Sequence, residues 1–241
     1  TGLNKNSDTI IEVGLRKFSF NKNSGEILEI LDSYSGLQDP GKPLSREVQI
    51  LTGLTDSDLA EKSIDWRKIE ELFEGVHLVL AHNAAFDRPF VDKHVEKSRS
   101  LPWACSLKHV DWFSKGYTIS KLEVLCLYHG FFTDSHRALN DVDAMVYLLS
   151  LEDLSTHRPY LHELLINARK PISKIFALGS PFESKDILRE RGYSWDSSLR
   201  TWRKSISKEL VSDEVAWMES AVYKGTFKGR VEDVALIEQF K

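Results

Sequence analysis

A short, continuously apolar run that is followed at once by a helical pattern restricts the fold of this chain most. Residues 77–81 read HLVLA, and the next residues, HNAAFDRPFV, place Phe86, Phe90 and Val91 at helical spacing. A short apolar run without alternation is typical of a strand that is buried on both faces. The sequence therefore predicts a strand, a short loop and a helix, with Asp87 in the first turn of that helix.

The segments around this unit extend the pattern to a whole α/β domain. DTIIEVGLRKF (8–18) and EILEILDSY (26–34) flank a turn and predict a hairpin. Helical patterns follow in DWRKIEELFEGV, in SKLEVLCLYHGF and in SHRALNDVDAMVYLL (135–149). Hairpin strands followed by alternating strand and helix favour a mixed sheet flanked by helices.

The helix predicted in 135–149 carries an aspartate near its start. Asp141 lies at the edge of an apolar stripe, and His136 lies in the preceding loop. The stripe consists of Ala138, Val142, Met145, Val146 and Leu149. A solvated aspartate that is favoured by the helix dipole, beside an unrelated histidine, is an alternative that these residues alone leave open.

The distribution of charge and of turn-forming residues divides the chain into two parts. The 241 residues carry a net charge of −4, which argues against an overall polycation that binds nucleic acid by charge alone. Residues 1–159 hold 18 Lys and Arg against 24 Asp and Glu, whereas residues 160–241 hold 14 against 12. We predict an α/β domain over 1–156, and a linker helix with a small α+β domain over 157–241.

Cysteine usage and hydropathy indicate a cytoplasmic protein. Cys105 and Cys126 lack metal-site spacing, so buried, reduced thiols are expected. No apolar run in the sequence approaches the length of a membrane span, and the first residues do not resemble a secretory signal. A role at a membrane is therefore not expected.

The second part combines basic and aromatic residues. Between Lys185 and Lys208, seven basic residues stand against three acidic ones, with Tyr193, Trp195 and Trp202 among them. Such a pattern can follow a phosphate backbone and stack bases. Large aromatics also build the core of a small domain, and the sequence leaves both interpretations open.

Asp87 and Asp141 each fall in the first turn of a predicted helix and could share a divalent ion. Phosphodiester hydrolysis by two metal ions requires hard oxygen ligands on rigid elements and a base that deprotonates the attacking water. His136, in the loop before Asp141, suits that base.

Two motifs carry a family resemblance. HNAAFD (82–87) and HRALND (136–141) resemble the second and third motifs of the DEDDh, or DnaQ-like, 3′-to-5′ exonucleases, which include the proofreading exonuclease subunit of bacterial DNA polymerase. ILTGLTDSDL (50–59) is similar to the family's I-T-G-I-T segment. TGLN followed by DTIIEVG resembles the sequence that directly follows its first motif, D-x-E-T-T-G. The resemblance covers residues 1–152 and implies a ribonuclease H-like fold.

The resemblance also implies a site and a substrate. Asp87 and Asp141 would bind two Mg²⁺ or Mn²⁺ ions, and His136 would be the general base. The predicted substrate-binding residues are His82, Asn83 and Phe86, with a loop hydrogen-bonding role as the alternative for His82. The substrate would be the 3′ end of single-stranded DNA or RNA. A polymerase or a nucleic-acid-processing complex would be the partner.

One departure from the family concerns its first motif. The aspartate and glutamate of that motif would precede Thr1, and Asp87 and Asp141 alone should hold magnesium weakly. We expect a preceding segment, because losing about five buried residues at roughly 1.5–3 kcal/mol each would match a domain's whole stability. A nuclease-dead module that binds nucleic-acid ends or a protein partner is the alternative function, and an unrelated α/β domain is a third.

Overall fold

Two units make up the chain in the computed structural model, which describes residue 2 and residues 7–133 and 137–241. The first unit contains residues 1–168 and 240–241, and the second contains residues 169–239. Among the described residues, no helix has both the length and the apolar character to span a membrane.

The first unit combines short strands with helices, so the predicted α/β class is confirmed. Its strands are β1 (Glu12–Phe20), β2 (Ile27–Leu37), β3 (Val79–Ala81), β4 (Trp103–Cys105), β5 (Glu152–Asp153) and β6 (Arg158–Pro159). Its helices are α1 (Arg46–Thr52), α2 (Asp56–Leu59), α3 (Trp66–Leu72), α4 (Ala84–Val91), α5 (Ser106–His109), α6 (Leu122–Tyr128), α7 (Ala138–Ser150) and α8 (Tyr160–Ala168), with a 3₁₀ turn at Lys97–Ser100.

The strands pair in separate small sheets. β1 and β2 form the predicted antiparallel hairpin, from the pair Glu12–Leu37 to the pair Phe20–Ile27. β3 and β4 are parallel, with Leu80 opposite Ala104. The sequence predicts one mixed sheet, but no strand of the described residues connects β1–β2 with β3–β4.

The main core of the first unit lies around α7. Ala144 and Leu148 of α7 are buried, whereas Val142 and Val146 of the predicted stripe are only partly buried. Met145 and Leu149 of the predicted stripe are buried, so the stripe coincides only in part with the covered face of the helix. Helix α7 contacts β1, α6 and α8. Because these elements pack against several sides of the helix, its covered surface is broader than the single apolar stripe that periodicity indicates.

Helix α8 belongs to the same core. Tyr160, Leu161, Leu164 and Leu165 are each at most 3% exposed, and they pack in one cluster with the buried Trp112. The sequence-based boundary near residue 156 made this helix a linker. The boundary between the units falls instead after Ala168, because a linker could not leave such an apolar face in water.

The second unit is a small α+β structure around an antiparallel sheet in the order β10-β7-β9-β8. Its strands are β7 (Ile172–Phe176), β8 (Ser194–Asp196), β9 (Thr201–Ser207) and β10 (Arg230–Val234). Its α-helices are α9 (Lys185–Glu190) and α10 (Val211–Trp217). Shorter turns lie at Phe182–Ser184, Lys208–Leu210, Met218–Tyr223 (a π-helical turn) and Leu236–Glu238.

The aromatic residues of the second unit have different positions. Tyr193 is 3% exposed in the core, and Trp202 and Trp217 pack against that core. Trp195 pairs with Trp202 across β8 and β9 but is 53% exposed. Tyr193, Trp202 and Trp217 therefore contribute to the core, as the interpretation of these aromatics as core residues predicts, whereas Trp195 does not.

Candidate active site

The loop between β3 and α4 is a tight turn that leads into the helix of the first candidate aspartate, Asp87. Asn83 has the left-handed conformation, φ 75° and ψ 51°, which asparagine tolerates better than most residues. The amide of Ala84 donates a hydrogen bond to Cys105 Sγ at 3.4 Å, which ties the start of α4 to the end of β4. The turn thus places the first turn of α4 directly after the strand.

Asp87 is a partly buried carboxyl in that first turn. Burial raises the pKa of Asp87 to about 7, against a smaller lowering by a backbone hydrogen bond. In the described part of the chain, no basic side chain forms an ion pair that would offset this cost. A carboxylate that is withdrawn from water in this way fits a bound cation, which would stabilise its charged form.

His82 is held by hydrogen bonds to the protein on both ring nitrogens. Nε2 lies 2.9 Å from the carbonyl oxygen of Ser120, which can only accept, so Nε2 carries the proton. Nδ1 then accepts from Ser106 Oγ at 2.8 Å. Burial lowers the pKa of His82, and the ring is neutral. This arrangement supports the loop hydrogen-bonding role, while direct substrate binding by His82 stays a prediction.

Asn83 and Phe86 present accessible side chains beside Asp87. Asn83 is exposed, and Phe86 is 39% exposed with its ring centroid 5.3 Å from that of Phe90. An exposed ring on a packed aromatic neighbour can stack against a nucleobase. Their substrate-binding role stays a prediction.

Asp141 occupies the first turn of α7, as predicted. Its amide donates to the carbonyl oxygen of Arg137 at 3.0 Å, and its side chain is partly buried. Burial raises the pKa of Cys126 in α6 to about 11, and the negative charge of Asp141 makes a smaller contribution in the same direction. The carboxylate therefore lies near α6. His136 lies outside the described residues, so its role as the base stays a prediction.

Sequence reasoning missed an ion pair at the entrance of α7. Arg137 Nε donates to Glu12 Oε1 at 3.0 Å, and the side chain of Glu12 is only 8% exposed. The two residues are 125 positions apart, and no motif connects them. The available signal was Glu12 itself, a charged residue between the apolar Ile11 and Val13.

The described residues contain no group of three or more His, Cys, Asp and Glu side chains that could together hold a metal ion. Asp87 and Asp141 remain the two carboxylates that the motifs indicate, and Cys105 and Cys126 are free, buried thiols, as expected. Any complete ligand set would need oxygen donors beyond these two carboxylates.

Comparison with known proteins places the motifs in a family. The RNase T family model, described as exonuclease, matches residues 1–149. The PolC-type DNA polymerase III of Bacillus cereus is 31% identical over 157 residues, which cover 62% of this chain and 10% of that protein. The Thermotoga maritima protein of the same description is 31% identical over 170 residues, covering 63% and 11%. The matched part of this chain thus spans about a tenth of the length of these curated relatives.

Solved nuclease structures also align with this chain. Exonuclease X in complex with 5′ overhanging duplex DNA aligns with a TM-score of 0.40 at 20% identity, covering 62% of this chain and 90% of that chain. Exonuclease I of E. coli in complex with a 5cy-dT13 oligonucleotide aligns with a TM-score of 0.48 at 15% identity, covering 81% of this chain and 59% of that chain.

Proposed function

Because the chain belongs to the RNase T exonuclease family, we propose that it hydrolyses the terminal phosphodiester bond at nucleic-acid 3′ ends and releases nucleoside monophosphates. One observation carries the proposal. HNAAFD and HRALND both lie within the matched residues 1–149, and each places its aspartate in the first turn of a helix. Rigidly held carboxylates are among the ligands that a metal-assisted hydrolase requires.

Asp87 and Asp141 are the proposed ligands of Mg²⁺ or Mn²⁺. The raised pKa of Asp87 supports this role, because a partly buried carboxyl is stabilised in its charged form by a cation. When bound, two such ions would stabilise the charge that develops on the phosphate and lower the pKa of the attacking water. Further oxygen ligands would be needed to complete the coordination of the ions.

The remaining predicted residues would accept a proton from the attacking water and bind the substrate. His136 would take a proton from the attacking water, since imidazole changes its charge near neutral pH. Phe86 would stack on the terminal base, and Asn83 would contact the terminal nucleotide. His82 would hold the loop that presents both.

Substrate and partner follow from the relatives only as proposals. The matched relatives are PolC-type DNA polymerases, so we propose single-stranded DNA or RNA 3′ ends as substrates and a polymerase or nucleic-acid-processing complex as partner. Such substrates and the two free thiols are consistent with action in the cytoplasm.

The test is degradation of 5′-labelled single-stranded DNA and RNA by the natural full-length protein. Reactions contain magnesium, manganese or a chelator. Asp141→Asn removes one proposed ligand, and Asp143→Asn, an exposed carboxylate two residues further along α7, is the matched control. We expect a metal-dependent ladder that shortens from the 3′ end, lost in Asp141→Asn and retained in Asp143→Asn.

Two further results bear on the proposal. Retained degradation in Asp141→Asn would refute the site assignment. Intact substrate under every condition, from a folded wild-type protein that still binds the oligonucleotide, would favour the alternative of a nuclease-dead, end-binding module. His136→Ala should lower kcat by about 10²-fold or more while Mn²⁺ affinity changes little, and a lost metal site would assign His136 a different role.

A further inference from the structure

One face of β1 docks onto the N-terminal end of α7. Glu12 and Arg16 are four residues apart in the strand, so their side chains lie on the same face. Glu12 Oε1 accepts from Arg137 Nε at 3.0 Å, and Arg16 donates from Nε and Nη2 to the two carboxylate oxygens of Asp143 at 2.6 and 2.8 Å. Two ion pairs thus connect the same strand to the same helix.

Gly14, midway between them, brings the two backbones into contact. A Cβ atom at Gly14 would lie 2.4 Å from the amide nitrogen of Leu139 and 2.5 Å from the carbonyl carbon of Ala138. Heavy atoms that are not bonded do not approach so closely, so only glycine allows this docking. The first turn of α7, which carries Asp141, is therefore held directly against β1.

The two ion pairs differ in what they hold. Asp143 lies within α7, and its side chain is 48% exposed. Its ion pair with Arg16 therefore connects β1 to a residue inside the helix. Arg137 precedes the helix in extended conformation, and its side chain does not cap α7. Its pair with the buried Glu12 fixes the chain that enters the helix, one residue after His136.

The charge of Arg137 also acts on the segment that resembles the family's I-T-G-I-T sequence. The pKa of Asp58 in α2 is lowered mainly by its hydrogen bonds with Thr55, and to a smaller extent by the charge of Arg137. The contact that holds the entrance of α7 is the ion pair between Arg137 and Glu12 of β1.

We propose that Glu12 and Arg137 are positioning residues of the active site. Their ion pair orients Arg137 at the entrance of α7, and with it the first turn that carries Asp141. This inference rests on the proposed function. The pair does not touch the reacting atoms, and it acts through the geometry of the residues next to it. A displacement of about 1 Å at such a position can lower a rate by about 10²-fold.

The experiment compares the two ion pairs in the natural full-length protein. Glu12→Gln and Arg137→Gln, alone and together, remove the positioning pair, and Arg137→Lys retains its charge. Arg16→Gln and Asp143→Asn remove the control pair between the same elements. For each variant, kcat and KM on single-stranded DNA, the pH profile of kcat, Mn²⁺ affinity, thermal stability and amide exchange of residues 138–141 are measured.

We expect a kinetic effect that is specific to one pair. Glu12→Gln and Arg137→Gln should each lower kcat about tenfold with KM within twofold, and the double variant should be no worse than either single one. Arg137→Lys should restore kcat to within threefold of wild type. The two control variants should keep kcat within twofold, even where they lower stability.

Several outcomes would overturn the inference. An unchanged kcat in Glu12→Gln would do so, and equal losses in the positioning and control pairs would show ordinary docking of a helix on a strand. An inactive wild-type protein would refute the proposed function instead. Amide exchange would then decide the positioning role, because protection of residues 138–141 in Glu12→Gln equal to that of wild type would exclude it.

Discussion

Lys115 carries a positive charge that two carboxylates share inside the first unit. Its Nζ lies 2.6 Å from Asp153 Oδ2 and 2.7 Å from Glu163 Oε2, and the three side chains are 12%, 7% and 26% exposed. Burial alone would raise the pKa of Asp153, but hydrogen bonds from Lys115 and Ser155 outweigh it and lower the pKa from 3.8 to about 2. The ionised carboxylate is therefore favoured by the fold.

The pKa shift of Asp153 gives the size of the effect. A lowering by about two units corresponds to about 2–3 kcal/mol of folding free energy at pH 7. Lys115→Met removes the positive charge from beside the buried Asp153 and the partly buried Glu163. We expect a loss of about 2–4 kcal/mol in the free energy of unfolding at pH 7.

The pH dependence of this loss separates charge from packing. A carboxyl with a lowered folded-state pKa contributes stability above its unfolded pKa near 4, and loses it as the pH falls towards 2. In urea unfolding, the difference between wild type and Lys115→Met should therefore shrink by about 1 kcal/mol from pH 7 to pH 3. Arg67→Met is the control, because its pair with Glu71 is 90% and 66% exposed and should contribute less than about 0.5 kcal/mol. A loss that is equal at both pH values would refute the electrostatic explanation.

Four other substitutions test three separate parts of the structure. With a chelator at pH 8, Asp87→Asn should raise the free energy of unfolding by about 4 kcal/mol, because the pKa of Asp87 rises from 3.8 to about 7 on folding. The gain should shrink towards pH 4, where the carboxyl is protonated in the folded state, and no gain at pH 8 would contradict its burial. Gly14→Ala should cost about 1–3 kcal/mol or more in thermal unfolding, because its Cβ would meet the backbone of α7. Trp195→Ala should lower the free energy of unfolding by less than about 1 kcal/mol, and Tyr193→Ala should lower it by about 3–5 kcal/mol. Equal losses in the two variants would contradict the different burial of the two side chains.

Local pattern was sufficient for the elements and for the family. The β1–β2 hairpin, the strand and helix around Asp87, and the helix that begins before Asp141 follow from hydrophobic periodicity and turn residues within each segment. The motifs are also local, so the family membership predicted from residues 82–87 and 136–141 is confirmed by the match over residues 1–149.

Contacts between distant segments were decided by the tertiary structure. Periodicity indicates that a helix has an apolar face, but the elements packed around it determine which residues are covered. The burial of Leu148 in α7 and of the apolar face of α8 was therefore not predicted. The same holds for polar residues. Sequence spacing does not show that Glu12 meets Arg137, or that the ring of His82 is held by Ser106 and Ser120. Such pairs form because burial requires a partner for each polar group, and only the folded chain determines which partner is near.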